Sequence, residues 1–346
     1  MIVNVASIPL RSPFRYPGGK TWLIPWIRTW LKSFSTKPEY FVEPFLGGGI
    51  VSLTVAFENL AEQIIMMEID PNVAAVWETI LGKDIDWLCD RILSFNLTTE
   101  TAKEVIMKPA ITTKELAFRT ILKNRINHGG ILADGSSFIN KGEKGKGIKS
   151  RWYPSTLCQR IQDIKLIKNI LIFKQGNGLN YLNEIMSQKN MAIFLDPPYT
   201  VCGKKPGSRL YKYNELDHKL LFEITAQTKS AFLMTYDNNI EVSDLANKYK
   251  FDTELVLMKS THHREIYELL ISKNLDWCRN NDSQEIPLIT EDLYQIEPLE
   301  KPLFCNFNGV EELRHNEAGR SFGAEAGMKG ANKNEVLQLP QILSTL

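Results

Sequence analysis

The sequence predicts an α/β fold in which helices cover a mostly parallel sheet. Short runs rich in Ile, Val, Phe and Met alternate with stretches of helical periodicity, the pattern of parallel strands joined by crossover helices. The 346 residues, of which 43% are hydrophobic, suffice for a large core. The predicted strands are 40–43, 63–67, 170–173, 191–195, 231–235, 254–258 and 266–272.

The predicted helices begin where the sequence supplies residues suited to helix N-termini. Pro25 fits only the first turn of a helix, and a triple glycine that ends at Gly49 precedes the next apolar run. Asp70 stands before Pro71 as the N-cap of a third helix. The predicted helices are 22–34, 50–60, 72–81, a group between 85 and 124, 155–167, 179–186 and 216–228.

The segment 84–168 interrupts the alternation of strands and helices. Its first part has helical periodicity, and its second part is rich in Gly, Ser and Lys. We therefore expect an inserted, mainly helical domain at 84–168 within a discontinuous domain formed by 1–83 and 169–275. The regular pattern ends there, which predicts a poorly ordered extension at 276–346.

Positive charge is concentrated in this insertion. The whole chain has a net charge of +1, which excludes a uniformly basic surface, but residues 119–151 contain eight basic and two acidic residues and the rest carries −5. Local positive charge suits phosphates. A solvated, flexible loop is the competing interpretation.

The remaining composition argues against export, membrane insertion and metal binding. No run approaches about 18 consecutive apolar residues, and the N-terminus lacks the pattern of a signal peptide. The five cysteines are far apart, without a C-x-x-C pair or zinc-site spacing. We expect a reduced, cytoplasmic protein without a metal ion.

Residues 196–199 read Asp-Pro-Pro-Tyr and follow the apolar run 191–195. They are thus predicted at the carboxyl end of a strand, where open α/β sheets bind ligands. Two prolines remove two N–H donors and leave carbonyl acceptors. Asp196 and the Pro197 carbonyl could accept from an exocyclic amino group, and Tyr199 could stack on its ring. A plain strand-ending turn is the alternative.

A second motif, Phe41 to Gly49, places a glycine turn between a strand and a helix. Such a turn lets a ligand approach the backbone. The dinucleotide fingerprint G-x-G-x-x-G is not met, because residue 52 is Ser. About twenty residues further on, Glu68 and Asp70 form a carboxylate pair suited to ribose hydroxyls, although Asp70 also suits a helix cap.

The sequence Gly19-Lys20-Thr21 matches the end of a phosphate-binding loop. The first glycine of that motif is missing, because residue 14 is Phe, and no apolar strand precedes the segment. A nucleoside triphosphatase is therefore disfavoured.

Taken together and in this order, four motifs resemble the Dam-type DNA adenine-N6 methyltransferases, the alpha group with a DPPY motif. The resemblance runs from about residue 11 to 275. Within it, the weaker features at 118–131, 211–221 and 264–274 also agree with the family. The motifs that carry it are 14–20, 41–49, 68–70 and 196–199.

The resemblance implies a Rossmann-like methyltransferase sheet that binds S-adenosylmethionine, with the insertion as target-recognition domain. Asp196, Pro197 and Tyr199 would form the target-base pocket. Asn177 is the best local match where many relatives carry an acid beside the cofactor adenine. The implied cofactor residues are Tyr16, Gly18, Lys20, Glu43, Phe45, Gly47, Gly49, Asp70, Asn177 and Asp196, and the candidate DNA contacts are Asn124, Arg125, Lys141, Lys144, Lys146, Lys149 and Arg151.

The expected activity is methyl transfer from S-adenosylmethionine to the N6 amino group of a flipped adenine at specific sites in double-stranded DNA. Cytosine-type chemistry is disfavoured, since no cysteine lies in a recognisable catalytic Pro-Cys loop. The alternatives are an inactive DNA-binding regulator and methylation of RNA or protein amino groups on the same fold. We expect a monomer, with a cognate restriction endonuclease as a further partner that the resemblance suggests.

Overall fold

The computed structural model describes residues 8–199, 213, 215–259 and 265–279. A seven-stranded sheet has the order β3-β2-β1-β4-β5-β7-β6. The first five strands pair in parallel, and β7 pairs antiparallel with both β5 and β6. The strands are β1 Tyr40–Glu43, β2 Gln63–Glu68, β3 Leu171–Gln175, β4 Met191–Leu195, β5 Ala231–Asp237, β6 Asp252–Lys259 and β7 Glu265–Ser272.

Helices connect the strands and cover both faces of the sheet. Short 3₁₀ turns precede the first helix and lie within 128–151 and 168–170. The helices of the described residues are α1 Ile24–Lys32, α2 Ile50–Phe57, α3 Pro71–Leu81, α4 Ile85–Ser94, α5 Thr99–Met107, α6 Thr113–Ile126, α7 Pro154–Ile167, α8 Gly178–Ile185, α9 His218–Gln227, α10 Ile240–Lys248 and α11 Asp276–Arg279.

Side chains of β4 alternate between two hydrophobic clusters. Ala192 and Phe194 join the cluster that includes residues of α1 to α7, whereas Ile193 and Leu195 join the cluster with residues of α8, α9 and α10. The alternation follows from the two-residue period of a strand. Because both faces are covered, all five residues of β4 are buried, which explains its uninterrupted apolar sequence.

The helices of the insertion pack on the sheet-covering helices. Ile121 of α6 and Ile161 of α7 are completely buried in the same cluster as Trp77 of α3. Capping boxes begin α5 at Thr98 and α6 at Thr112, which fixes both helix starts. The insertion therefore shares the core of the sheet, and its role in target recognition remains a prediction.

Two parts of the fold were not predicted from the sequence. Helix α10 was not predicted, because its sequence is polar and it buries only Val242 and Ala246; its N-cap Asn239 accepts a hydrogen bond from Glu241 N. The fold also continues beyond the predicted boundary at residue 275, since Arg279 of α11 pairs with Asp252 of β6. The extension from 280 onward lies outside the described residues.

None of the helices that the structure describes has both the length and the apolar composition required to cross a membrane.

Candidate active site

A cavity lies at the carboxyl ends of β1 and β4, where the strand order reverses. Strand β1 leads to β2 on one side, and β4 leads to β5 on the other, so the connecting segments diverge and leave a crevice. The cavity has a volume of about 280 Å³. All predicted cofactor and catalytic residues line it: Tyr16, Gly18, Lys20, Glu43, Phe45, Gly47, Gly49, Asp70, Asn177, Asp196, Pro197 and Tyr199.

The glycine turn after β1 is shaped by two positive φ angles, +48° at Gly47 and +63° at Gly49. This conformation is costly for residues with a Cβ. A Cβ at Gly47 would also lie 2.6 Å from the Tyr16 ring, and one at Gly49 would lie 2.7 Å from the Trp77 ring. The turn thus needs glycine both for its conformation and for its close packing.

Ser52 occupies the position at which the dinucleotide fingerprint requires glycine, and it binds Glu43. Its backbone N–H donates to Glu43 Oε2 at 2.9 Å, and its hydroxyl donates to the same oxygen. Burial raises the pKa of Glu43 to about 8. Glu43 therefore joins the end of β1 to the first turn of α2 while it lines the cavity.

The two carboxylates after β2 have separate tasks. Glu68 accepts hydrogen bonds from Gly47 N at 2.9 Å and from Asp70 N at 2.8 Å, so it shapes the glycine turn, and burial raises its pKa to about 7. Asp70 Oδ1 caps α3 by accepting from Asn72. These bonds use Oδ1, and no described residue donates to Oδ2 of Asp70, which lines the cavity.

Asn177 closes the cavity beyond β3. Its Oδ1 caps α8 by accepting from Leu179 N at 2.9 Å, which leaves its amide NH₂ as a donor. The next residue, Gly178, also lines the cavity, and a Cβ there would lie 2.5 Å from the Pro44 carbonyl oxygen. The backbones after β1 and β3 can therefore approach each other closely.

Three groups that can donate a hydrogen bond lie around one oxygen of Asp196. Lys20 Nζ lies 2.9 Å from Asp196 Oδ1, and the hydroxyls of Thr235 and Tyr199 lie 3.0 and 3.1 Å from it. No described residue donates to the second oxygen, Oδ2. The arrangement fixes the carboxylate through one of its two oxygens.

Glu268 was missed by the sequence reasoning. It lies on β7, paired in register with Asp237 of β5, and its Oε2 lies 3.2 Å from the Tyr199 hydroxyl and 3.7 Å from Lys20 Nζ. Burial raises its pKa above the ordinary value. The signal in the sequence was an acid within the apolar run 266–271, but a strand register is needed to bring it to the cavity.

The Tyr199 ring is already partnered in the structure. It stacks on Tyr236, with centroids 5.6 Å apart and an interplanar angle of 26°, and Lys20 Nζ lies 5.0 Å from its centroid. Tyr236 in turn is hydrogen-bonded to His218. Stacking of Tyr199 on a target base therefore remains a prediction for the complex with nucleic acid.

The structure corrects the expectation that Asn124 and Arg125 approach bases. Asn124 is completely buried; its Oδ1 accepts from Arg15 N at 2.8 Å, and its amide donates to the carbonyls of Arg15 and Gly130. Arg125 is also buried and donates to the Pro13 carbonyl. Both side chains face inward and hold the segment that leads to Tyr16.

The other predicted DNA contacts lie at the surface. Arg151 forms an ion pair with Glu143. The nearby negative charge weakens the attraction of Arg151 to a phosphate. Four lysines of the basic segment 119–151 are exposed: Lys141, Lys144, Lys146 and Lys149.

The fold and this cavity define the chain as a Rossmann-like methyltransferase that uses S-adenosylmethionine. The model of the D12 class N6 adenine-specific DNA methyltransferases matches residues 16–265, and the chain belongs to this family. A comparison with curated protein sequences gives no match.

Among solved structures, the chain is similar to the rRNA methyltransferase AviRa of Streptomyces viridochromogenes, at 12% identity and a TM-score of 0.36 over 78% of this chain and 93% of that one. It is also similar to the methyltransferase domain of the bacterial protein CtHen1, at 11% identity and a TM-score of 0.30 over 72% of this chain and 96% of that one.

Proposed function

We propose that the protein is a site-specific DNA methyltransferase that transfers a methyl group to the N6 amino group of adenine. The observation that carries the proposal is Asp196, whose Oδ2 receives no donor from the described residues and which lines, with the prolines 197 and 198, a cavity built around a glycine turn. Membership of an adenine-specific DNA methyltransferase family supports the choice of substrate.

The cavity fits S-adenosylmethionine by the chemistry of its wall. The glycine turn admits a ligand close to the backbone, Asp70 Oδ2 would accept from ribose hydroxyls, and the amide of Asn177 would donate to an adenine nitrogen. Tyr16, Gly18 and Lys20 would lie at the methionine portion. When bound, the cofactor supplies an electrophilic methyl group on a sulfonium.

The acceptors of residues 196 and 197 would orient the target amino group. The N6 lone pair of adenine is delocalised into the ring, so the nitrogen is a poor nucleophile. Hydrogen bonds from its two N–H groups to Asp196 Oδ2 and the Pro197 carbonyl would direct the lone pair toward the methyl group. After transfer the nitrogen carries one proton too many, and Asp196 is placed to accept it.

The target base must leave the duplex to reach this cavity, at a cost of a few kcal/mol. We infer that the four exposed lysines of the basic segment 119–151 bind phosphates and help to offset that cost. Double-stranded DNA is therefore the proposed partner, and RNA is the competing substrate on this fold.

The test is methyl transfer from radiolabelled S-adenosylmethionine to matched duplex DNA, single-stranded DNA and RNA, followed by mass spectrometry of the nucleosides. The proposal requires N6-methyladenine in duplex DNA, and sequencing of DNA from expressing cells should show it in one sequence context. Label in RNA alone would favour RNA methylation. Cofactor binding without transfer to any of the three substrates would favour an inactive DNA-binding regulator.

A further inference from the structure

Three charged side chains, two of them buried, form a group at the wall of the cavity. Lys20 and Glu268 are 4% and 8% exposed, and Asp196 is 21% exposed. With both acids ionised, the group has two negative charges and one positive charge. Lys20 neutralises one carboxylate only, and the second would give the group a net charge of −1.

The hydrogen bonds show how the second carboxylate affects the first. The Tyr199 hydroxyl has one proton but lies within 3.3 Å of three oxygens, on Asp196, Thr235 and Glu268. Thr235 already donates to Asp196. If ionised Glu268 accepts the Tyr199 hydrogen bond, Asp196 Oδ1 is held by Lys20 and Thr235, and Oδ2 receives no donor from the described residues. If Glu268 is neutral, the Tyr199 hydroxyl would donate its hydrogen bond to Asp196 instead.

The net negative charge would stabilise the positive charge that develops on N6 during methyl transfer. As the bond from sulfur to the methyl carbon breaks and the bond from N6 to that carbon forms, the positive charge moves from sulfur to N6. A neutral Lys20–Asp196 pair offers little net attraction to that charge. A second carboxylate behind the pair stabilises it, and fixed charges in a buried site act strongly because they need no reorganisation.

We propose that Glu268 is a positioning residue for methyl transfer, which holds Lys20 and the Tyr199 hydroxyl so that Asp196 presents one oxygen to the target amine within a net negative site. The inference rests on the proposed amino-group methylation and deepens it. Glu268 acts through Asp196 and does not touch the substrate. The proton lost by N6 leaves through Asp196, so Glu268 is unchanged over the reaction.

The ionised form of Glu268 is the active one, which sets the sign of a pH effect. Burial and the nearby acids Asp196 and Asp237 raise its pKa, whereas Lys20 and the hydrogen bond from Tyr199 lower it, and the net direction is upward. The methyl-transfer rate should therefore fall as the pH decreases through this raised pKa. If the role of Glu268 is only structural, replacing it should change the melting temperature and leave this fall in rate at acidic pH, the acidic limb of the pH–rate profile, in place.

The test compares Glu268→Gln with Glu254→Gln, which removes the same charge from the neighbouring strand β6 outside the cavity. Single-turnover rates are measured from pH 5 to 9 at saturating cofactor and DNA, together with the dissociation constants of both. Glu268→Gln should slow transfer by roughly 10- to 100-fold at neutral pH, lose the acidic limb and leave both dissociation constants within about threefold of wild type. Glu268→Asp should restore part of the rate, and Glu254→Gln should match wild type.

Two results would overturn the inference: a Glu268→Gln rate within about twofold of wild type, or a slow rate that still falls at acidic pH as in wild type. In both cases the proposed function would stand, because the wild-type protein transfers the methyl group. Wild type without transfer to any nucleic acid would overturn both.

Discussion

Asn124 holds the backbone of Arg15 with both ends of its side-chain amide, at 2.8 Å from Oδ1 to Arg15 N and 3.0 Å from Nδ2 to Arg15 O. The pairing imitates one rung of a β-ladder. It joins α6 of the insertion to the segment that continues into Tyr16 and Lys20 at the cavity. A polar residue of the insertion thus supports the cofactor site from behind.

We expect Asn124→Ala to destabilise the protein and to weaken cofactor binding. The substitution leaves three backbone partners, of which the Gly130 carbonyl is buried, without their bonds, and an unsatisfied buried group costs about 1 to 3 kcal/mol. Denaturant unfolding and calorimetric titration with S-adenosylmethionine measure the two effects. Lys123→Ala, on the same helix, is the control. A stable variant with a changed methylation site would instead place Asn124 at the DNA.

Asp70→Asn should separate helix capping from ligand binding. Asparagine caps helices about as well as aspartate, so the melting temperature should stay near that of wild type. The lost charge should weaken cofactor binding by about 1.5 to 3 kcal/mol, as measured by calorimetry. Asp70→Ala should lose both the cap and the affinity. Equal cofactor affinity in wild type and Asp70→Asn would reduce Asp70 to a cap.

Asp196→Ala should retain cofactor binding and lose methyl transfer by about 100-fold or more, because the acceptor acts mainly on the target amine. Single-turnover kinetics and calorimetry distinguish the two steps. Near wild-type turnover would remove Asp196 from the reaction.

Features that depend on residues close together in the sequence were predicted correctly, whereas features that depend on distant residues were not. Strand β4 begins and ends as predicted, since a run buried on both faces is visible in local composition. The glycine turn, Asp70 and Asp196 follow parallel strands, whose carboxyl ends must meet at one edge of the sheet. The inward orientation of Asn124 depends on a partner 109 residues away. Glu268 likewise depends on the register of β7 with β5. Local patterns contain neither relationship.

A chain that ends after Arg279 should be more stable than one that ends after Leu275. Cys278 is buried, and Arg279 makes two hydrogen bonds to Asp252 at 2.6 and 2.9 Å. The ion pair is partly exposed and worth no more than about 1 kcal/mol, so most of the difference should come from apolar burial. Thermal unfolding compares the two chains. We expect methylation to persist in the longer one, and its loss there would show that the extension contributes to activity.

The four exposed lysines of the basic segment 119–151 should supply much of the salt-dependent affinity for DNA. Replacing Lys141, Lys144, Lys146 and Lys149 together by Ala should weaken binding across sequences, because phosphate contacts are insensitive to base identity. If all four contact phosphates, the slope of log K against log salt should change by roughly 3 to 4 units, at about 0.9 per contact. Binding titrations at several salt concentrations measure the slope.

The correction at Arg125 sharpens this experiment. Because its guanidinium is buried against the Pro13 carbonyl, it is not available to a phosphate, and the lysines are the exposed part of the basic segment. Replacing Lys165 and Lys168, which lie outside that segment at the end of α7, gives a control of the same charge sign. A quadruple variant with the affinity and slope of wild type would make the segment a solvated loop, and a slope change as large in the control would indicate that DNA responds only to overall charge.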